Sequence, residues 1–173
     1  MDGSRNILTI EVGAFGLRTG QALRETMLKE HCIDYSGKFN DSIVEKTASS
    51  VYGNNYDNDK FIEHADVYFR EEQDPKNKES KYVPRWILID EGTNDIERIL
   101  KEQSSSCLSS DSIIYSNDWS LKNSFKYPYE MRNENLFLNL AYENVLKEIE
   151  KWDRQPAIQL IFSLEGGFGP GFF

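Results

Sequence analysis

The sequence has little cysteine and histidine. Its two cysteines, Cys32 and Cys107, lie far apart and outside any C-x-x-C or C-x-H spacing. That argues against a disulfide framework or a cysteine zinc site and points to a reducing compartment. The two histidines, His31 and His64, have no partners at ligand spacing. No run approaches the ~18 apolar residues of a membrane span. The opening Met1-Asp2-Gly3-Ser4-Arg5-Asn6 lacks the apolar stretch of a secretory signal. Basic residues are outnumbered, with 20 Lys and Arg against 29 Asp and Glu, for a net charge of −9. Nucleic-acid and anionic-membrane binders depend on the opposite surplus, so neither class fits. There is no G-x-S-x-G elbow and no defensible Ser/His/Asp or Cys/His arrangement, so no residue is assigned a catalytic role.

What is present suits one globular domain of 173 residues, 39% of them hydrophobic. Asn6-Ile7-Leu8-Thr9-Ile10-Glu11-Val12 reads as a strand, followed by a glycine-studded turn over 13–20 and a helix over about 20–31. From 35 to 80 the pattern dissolves into Asn, Asp, Ser, Lys and Glu, which predicts a long polar loop insertion with a short edge strand at Val67-Tyr68-Phe69. Arg85-Trp86-Ile87-Leu88-Ile89-Asp90 is apolar enough for a central parallel strand. A helix at 94–102, a strand at 112–115, a helix at 133–152 and a last strand at 157–162 follow. In the long helix, Phe137, Ala141, Val145, Ile149 and Trp152 form one apolar stripe. Strands alternating with helices indicate an α/β fold, a Rossmann-like parallel sheet flanked by helices.

Two glycine-rich segments each follow a strand: Gly13-x-x-Gly16-x-x-x-Gly20 and Gly166-Gly167-x-Gly169-x-Gly171. Such loops cradle phosphates, because glycine lets backbone N–H groups approach an anion and the next helix turns its positive end toward the charge. Singly, each is equally ordinary tight-turn chemistry, since glycine serves any φ > 0 position. Both at strand C-termini, where a parallel sheet opens its ligand crevice, make a stronger signal. Asp90-Glu91 reads either as a metal or acid/base pair or as the acidic start of the next helix.

Three collinear stretches resemble the tubulin family. The first strand, its glycine motif, a helix and then Glu30-His31-x-Ile33-Asp34 look like a tubulin opening. Lys81-Tyr82-Val83-Pro84-Arg85, a strand, and Glu91-Gly92-Thr93-Asn94-Asp95 are similar to K-Y-V-P-R, strand, D-L-E-P-G-T-x-D. Lys147-Glu148-x-Glu150-x-x-Asp153, Gln159-Leu160 and Ser163-Leu164-x-Gly166-Gly167-x-Gly169-x-Gly171 are similar to the approach and signature G-G-G-T-G-S-G. The resemblance implies residues 1–173 as one partial tubulin-like nucleotide-binding domain, the front of a GTP-binding fold whose subunits polymerise end to end. It implies nucleotide contacts at Gly13, Gly16, Asn117, Ser163, Gly166, Gly167 and Gly169, with Glu91 as a carboxylate on the Mg²⁺ side. The family's guanine contacts, intermediate domain and C-terminal helices would lie beyond residue 173.

Departures from the family pattern accumulate at the nucleotide. Ala14 and Phe15 stand where the family's G-Q-C-G has Gln and Cys, and Ser116-Asn117-Asp118-Trp119-Ser120 lacks the glycines of A-G-x-N-N-W-A. Phe168 replaces a phosphate-bonding Thr, Pro170 removes an N–H donor, and Glu165 brings a carboxylate where polyphosphate would sit. Like charges a few ångströms apart cost ~1–4 kcal/mol between bulk water and a protein surface. The resemblance therefore implies GTP or GDP with Mg²⁺ bound weakly or not at all, in a divergent structural or assembly subunit that is cytoskeletal and cytoplasmic or inside an organelle. Its partners would be tubulin-like subunits or a larger assembly, a role the apolar Phe172-Phe173 also suits. The alternative is a functional GTP-binding domain completed by a partner chain. An unrelated small α/β enzyme is the weakest reading.

Overall fold

The structure, a computed structural model, describes residues 6–44, 59–73, 80–90, 92–102, 106–115, 136–152, 155–165 and 167–172. Strand β1 (Ile7–Val12) is followed without a loop by helix α1 (Gly13–Glu30). Then come a short helix α2 (Asp59–Ile62), a 3-10 turn (Ala65–Val67), and strands β2 (Phe69–Gln73), β3 (Ser80–Pro84) and β4 (Trp86–Asp90). Helix α3 (Thr93–Leu100), strand β5 (Ile113–Tyr115), helix α4 (Leu136–Glu150), strand β6 (Ala157–Ile161) and a short helix α5 (Phe168–Phe172) complete the order.

Four strands form one sheet in the order β5-β4-β1-β6. Every pairing in it is parallel: Thr9 opposite Trp86, Leu8 opposite Ile158, and Leu88 opposite Ile113. Its central strands β1 and β4 are covered on both faces, the arrangement expected for a Rossmann-like parallel sheet, while β6 is largely exposed. Alternation in β1 explains how. Leu8, Ile10 and Val12 join Ile87, Ile89, Ile114, Phe137 and Ala141 beneath α4. On the opposite face Leu17 of α1 packs with Trp86, Leu88, Ile96 and Ile99. Strand β4 feeds both layers, so all five of its residues are buried. The stripe read from the sequence over 137–152 is the face α4 presents to the sheet, with Val145, Ile149 and Trp152 at its margin.

Helix α1 ends in a Schellman arrangement. The Ile33 N–H donates to the Leu28 carbonyl at 2.8 Å and the Cys32 N–H to the Lys29 carbonyl at 3.2 Å. Cys32 takes the left-handed position with φ 53°, a place usually given to glycine. Burial of its side chain against Val44 and Phe61 offsets that strain. His31 is the C-cap, in keeping with its reading as a helix-end residue.

The described part of 35–80 is more structured than a polar loop. It contains a helical turn at 41–44, α2, the 3-10 turn, and β2 paired antiparallel with β3 in a separate two-stranded sheet. Val67 belongs to the turn, and Phe69 opens the hairpin rather than an edge strand of the main sheet. Phe69 anchors the hairpin in a satellite core with Leu28, Ile33, Ala65 and Cys107. Arg70 ties it to α4 by donating to the buried Glu148 at 2.6 Å, and the Arg85 guanidinium lies 4.4 Å over the Trp152 ring. Among the described residues no helix is long and apolar enough to cross a membrane.

Candidate functional site

The C-terminal ends of β1 and β6 bring the two glycine segments together. Gly13 has φ +71°, and a Cβ there would sit 3.7 Å from the Gly169 N and 3.8 Å from Cδ1 of Phe168. A Cβ on Gly169 would lie 3.3 Å from the Ser163 carbonyl oxygen. Gly13, Ser163 and Gly169 therefore lie together. Gly167 lies in the same segment, its carbonyl accepting the Gly171 N–H at 3.3 Å in the short turn of α5. Glu91, Asn117 and Gly166 fall outside the described residues.

The first glycine motif is not the turn expected from the sequence. Helix α1 begins at Gly13, so residues 13–20 form its opening turns. The spacing serves close packing. A Cβ on Gly16 would overlap the Ile161 carbonyl oxygen, and one on Gly20 would overlap the Glu11 carboxylate. Gly16 thus sits against β6, one helical turn from the point where Gly13 meets Gly169.

The second segment also differs from an open loop, because Phe168–Phe172 is helical. Phe168 is only 5% exposed and belongs to the main core. Its ring packs 6.0 Å from Phe137 and 5.6 Å from Phe172, centroid to centroid, with Phe137 and Phe172 6.5 Å apart. The Phe168 ring of this aromatic cluster thus lies against Gly13. The Ser163 hydroxyl is engaged locally, accepting the Glu165 N–H at 3.0 Å. Pro170 falls early in α5, where its missing N–H costs no helical hydrogen bond. Among the described residues no three His, Cys, Asp or Glu side chains are grouped to hold a metal ion.

On the other face of the sheet lies an ion pair that sequence reasoning missed. Glu11 of β1 and Arg24 of α1 are 0% and 1% exposed, and Arg24 Nη1 donates to Glu11 Oε1. Among the described residues Arg24 Nε and Nη2 have no hydrogen-bond partner. Burial pushes the Glu11 carboxyl up from 4.5 to about 7, with Arg24 and then the Trp86 indole pulling the other way. The signal was available: Glu11 shares strand parity with Thr9, on the face turned to α1.

A group whose folded pKa exceeds its unfolded value takes up a proton on folding between the two. The stability it contributes is full below pH 4.5 and is lost as pH rises through about 7. The unfolding free energy from urea titration should therefore fall across that window by up to about 1.4 kcal/mol per pH unit, one proton's linkage. Glu11→Gln should flatten that component; an unchanged slope in the variant would place the titration elsewhere.

The match to known proteins covers this whole frame. The model of the Tubulin/FtsZ family, GTPase domain, matches residues 6–173. The chain belongs to the Tubulin/FtsZ family. It is 28% identical over 167 residues to the tubulin beta chain of Aspergillus fumigatus, covering 96% of this chain and 32% of that one. The tubulin beta-1 chain of Homo sapiens is 27% identical with the same coverage, and the tubulin beta-4 chain of Zea mays 26%, covering 33% of its length. This member of the family therefore spans about a third of the length of these relatives.

Proposed function

We propose that this chain is a divergent tubulin-like structural or assembly subunit in which GTP binding is weakened or lost. The observation that carries the reading is Phe168, buried in the core with its ring against Gly13, where the glycine segments converge. A phosphate cradle needs open backbone N–H groups and room for the anion. Here an apolar ring packs against Gly13 where the family pattern has a phosphate-bonding hydroxyl, and the Ser163 oxygen accepts from its own loop. The residues present do not fit a nucleotide polyphosphate, and Glu165 adds an unfavourable charge nearby. Partners would be tubulin-like subunits or a larger cytoskeletal, cytoplasmic assembly. The convergence of Gly13, Ser163 and Gly169 favours the second reading, a GTP-binding domain completed by a partner chain.

Calorimetry with Mg²⁺ and GTP separates the two. The first reading expects no saturable heat at millimolar nucleotide. Micromolar binding that disappears in Gly167→Glu would overturn it and establish a working site.

A further inference from the structure

We infer that an ordered water molecule is bound inside the layer between α1 and the sheet, bridging the Glu11–Arg24 pair to the Trp86 indole. Among the described residues four buried polar atoms there have no hydrogen-bond partner: Glu11 Oε2, Arg24 Nε, Arg24 Nη2 and Trp86 Nε1. Glu11 is 0% exposed and Arg24 and Trp86 are each 1% exposed, so β1, β4 and α1 alone enclose the site. Folded proteins leave few buried polar atoms unpaired, and internal water supplies the partner where side chains do not reach each other.

The backbone brings these atoms together. Trp86 of β4 lies opposite Thr9 of β1, and Glu11 follows Thr9 on the same face, the one that α1 covers. Gly20 carries no side chain, so the Glu11 carboxylate lies against the backbone of α1. Arg24 comes one helical turn later, on the same flank as Gly20. Its Nη1 donates to Glu11 Oε1, which leaves the Nε–Nη2 edge of the guanidinium, a pair of parallel N–H donors, without an acceptor. The Trp86 indole acts on the Glu11 carboxyl yet makes no direct hydrogen bond, the relation expected across one bridging molecule. The nearby Thr9 hydroxyl is turned to Gln159, 3.1 Å away.

The donors and acceptors choose the occupant. Three N–H groups need an acceptor and one carboxylate oxygen needs a donor. A bound cation would be opposed by the guanidinium and a bound anion by the carboxylate, so the occupant is neutral. Water is the smallest molecule that meets both demands: its oxygen accepts from the Arg24 edge and from the indole, and one O–H donates to Glu11 Oε2. It also serves the carboxyl in both protonation states, donating to the carboxylate and accepting from the acid O–H as the pKa of about 7 is crossed. The site lies on the face of the sheet away from Phe168 and does not depend on the nucleotide reading.

Oxygen-17 magnetic relaxation dispersion tests it, because that signal reports long-lived water molecules and is blind to labile protons. The double variant Glu11→Met with Arg24→Met, its fold checked by its amide spectrum, should lose the dispersion amplitude of at least one such water relative to the wild type. Independently of any variant that removes the pair, the wild-type Trp86 indole proton, assigned by its absence in Trp86→Phe, should show a dipolar cross peak to water whose sign inverts in the rotating frame. If the double variant fails to fold, the indole contact decides alone. Equal amplitudes in wild type and folded double variant, or an indole proton without that contact, would overturn the proposal and leave the pair dry.

Discussion

Gly16→Ala is expected to destabilise the fold by about 3 kcal/mol, the upper end for forcing one methyl into a packed interior. The added Cβ would overlap the Ile161 carbonyl oxygen and lie 3.2 Å from its carbon. Both are main-chain atoms of a strand already registered on β1, so no side chain can swing aside. Relief requires α1 to lift from β6, which would also open the contact between Gly13 and Gly169. Gly92→Ala is the internal control. Among the described residues nothing lies within 4 Å of a Cβ there, and as the N-cap of α3 its loss should cost less than about 1 kcal/mol. Equal urea midpoints for the two variants would mean that α1 and β6 are not in this contact.

Arg24→Met is expected to cost about 3–5 kcal/mol at pH 9–10, because it leaves the Glu11 carboxylate buried without its cation. Without Arg24 the Glu11 carboxyl titrates higher still, so the cost should grow as pH rises above about 7 and be least below it, where the carboxyl is protonated in the variant. Removing both charges in Glu11→Met with Arg24→Met should recover most of the loss, since a buried pair is held against a heavy desolvation penalty. A double variant as unstable as the single one would show that packing, not charge, sets the penalty.

These two sites mark where the sequence was legible and where it was not. Strands β1 and β4 are dense in Val, Ile and Leu, and α4 repeats its apolar residues at helical spacing, so local pattern and packing agree. Gly16 and Gly20 misled because glycine signals a turn as readily as a close approach, and only the crossing of α1 over Ile161 and Glu11 distinguishes the two. The β2–β3 hairpin was illegible because Phe-Arg-Glu-Glu-Gln buries only its first side chain. Phe168 stood out in the sequence as a lost hydroxyl. Its burial depends on Phe137 and Phe172, brought beside it by α4 and α5, and no local pattern reports that.

The account's central claim is that Phe168 fills the place where the glycine segments meet. The measurement that tests it most directly is an amide-resolved NMR titration of the chain with Mg²⁺ and GTP, read with the nuclear Overhauser contacts of the Phe168 ring. The account predicts contacts from that ring to Phe137, Phe172 and Gly13, and amides of Gly13, Gly167 and Gly169 that stay in place up to millimolar nucleotide. Saturable shifts of those amides, accompanied by loss of the Phe168 contacts, would contradict it.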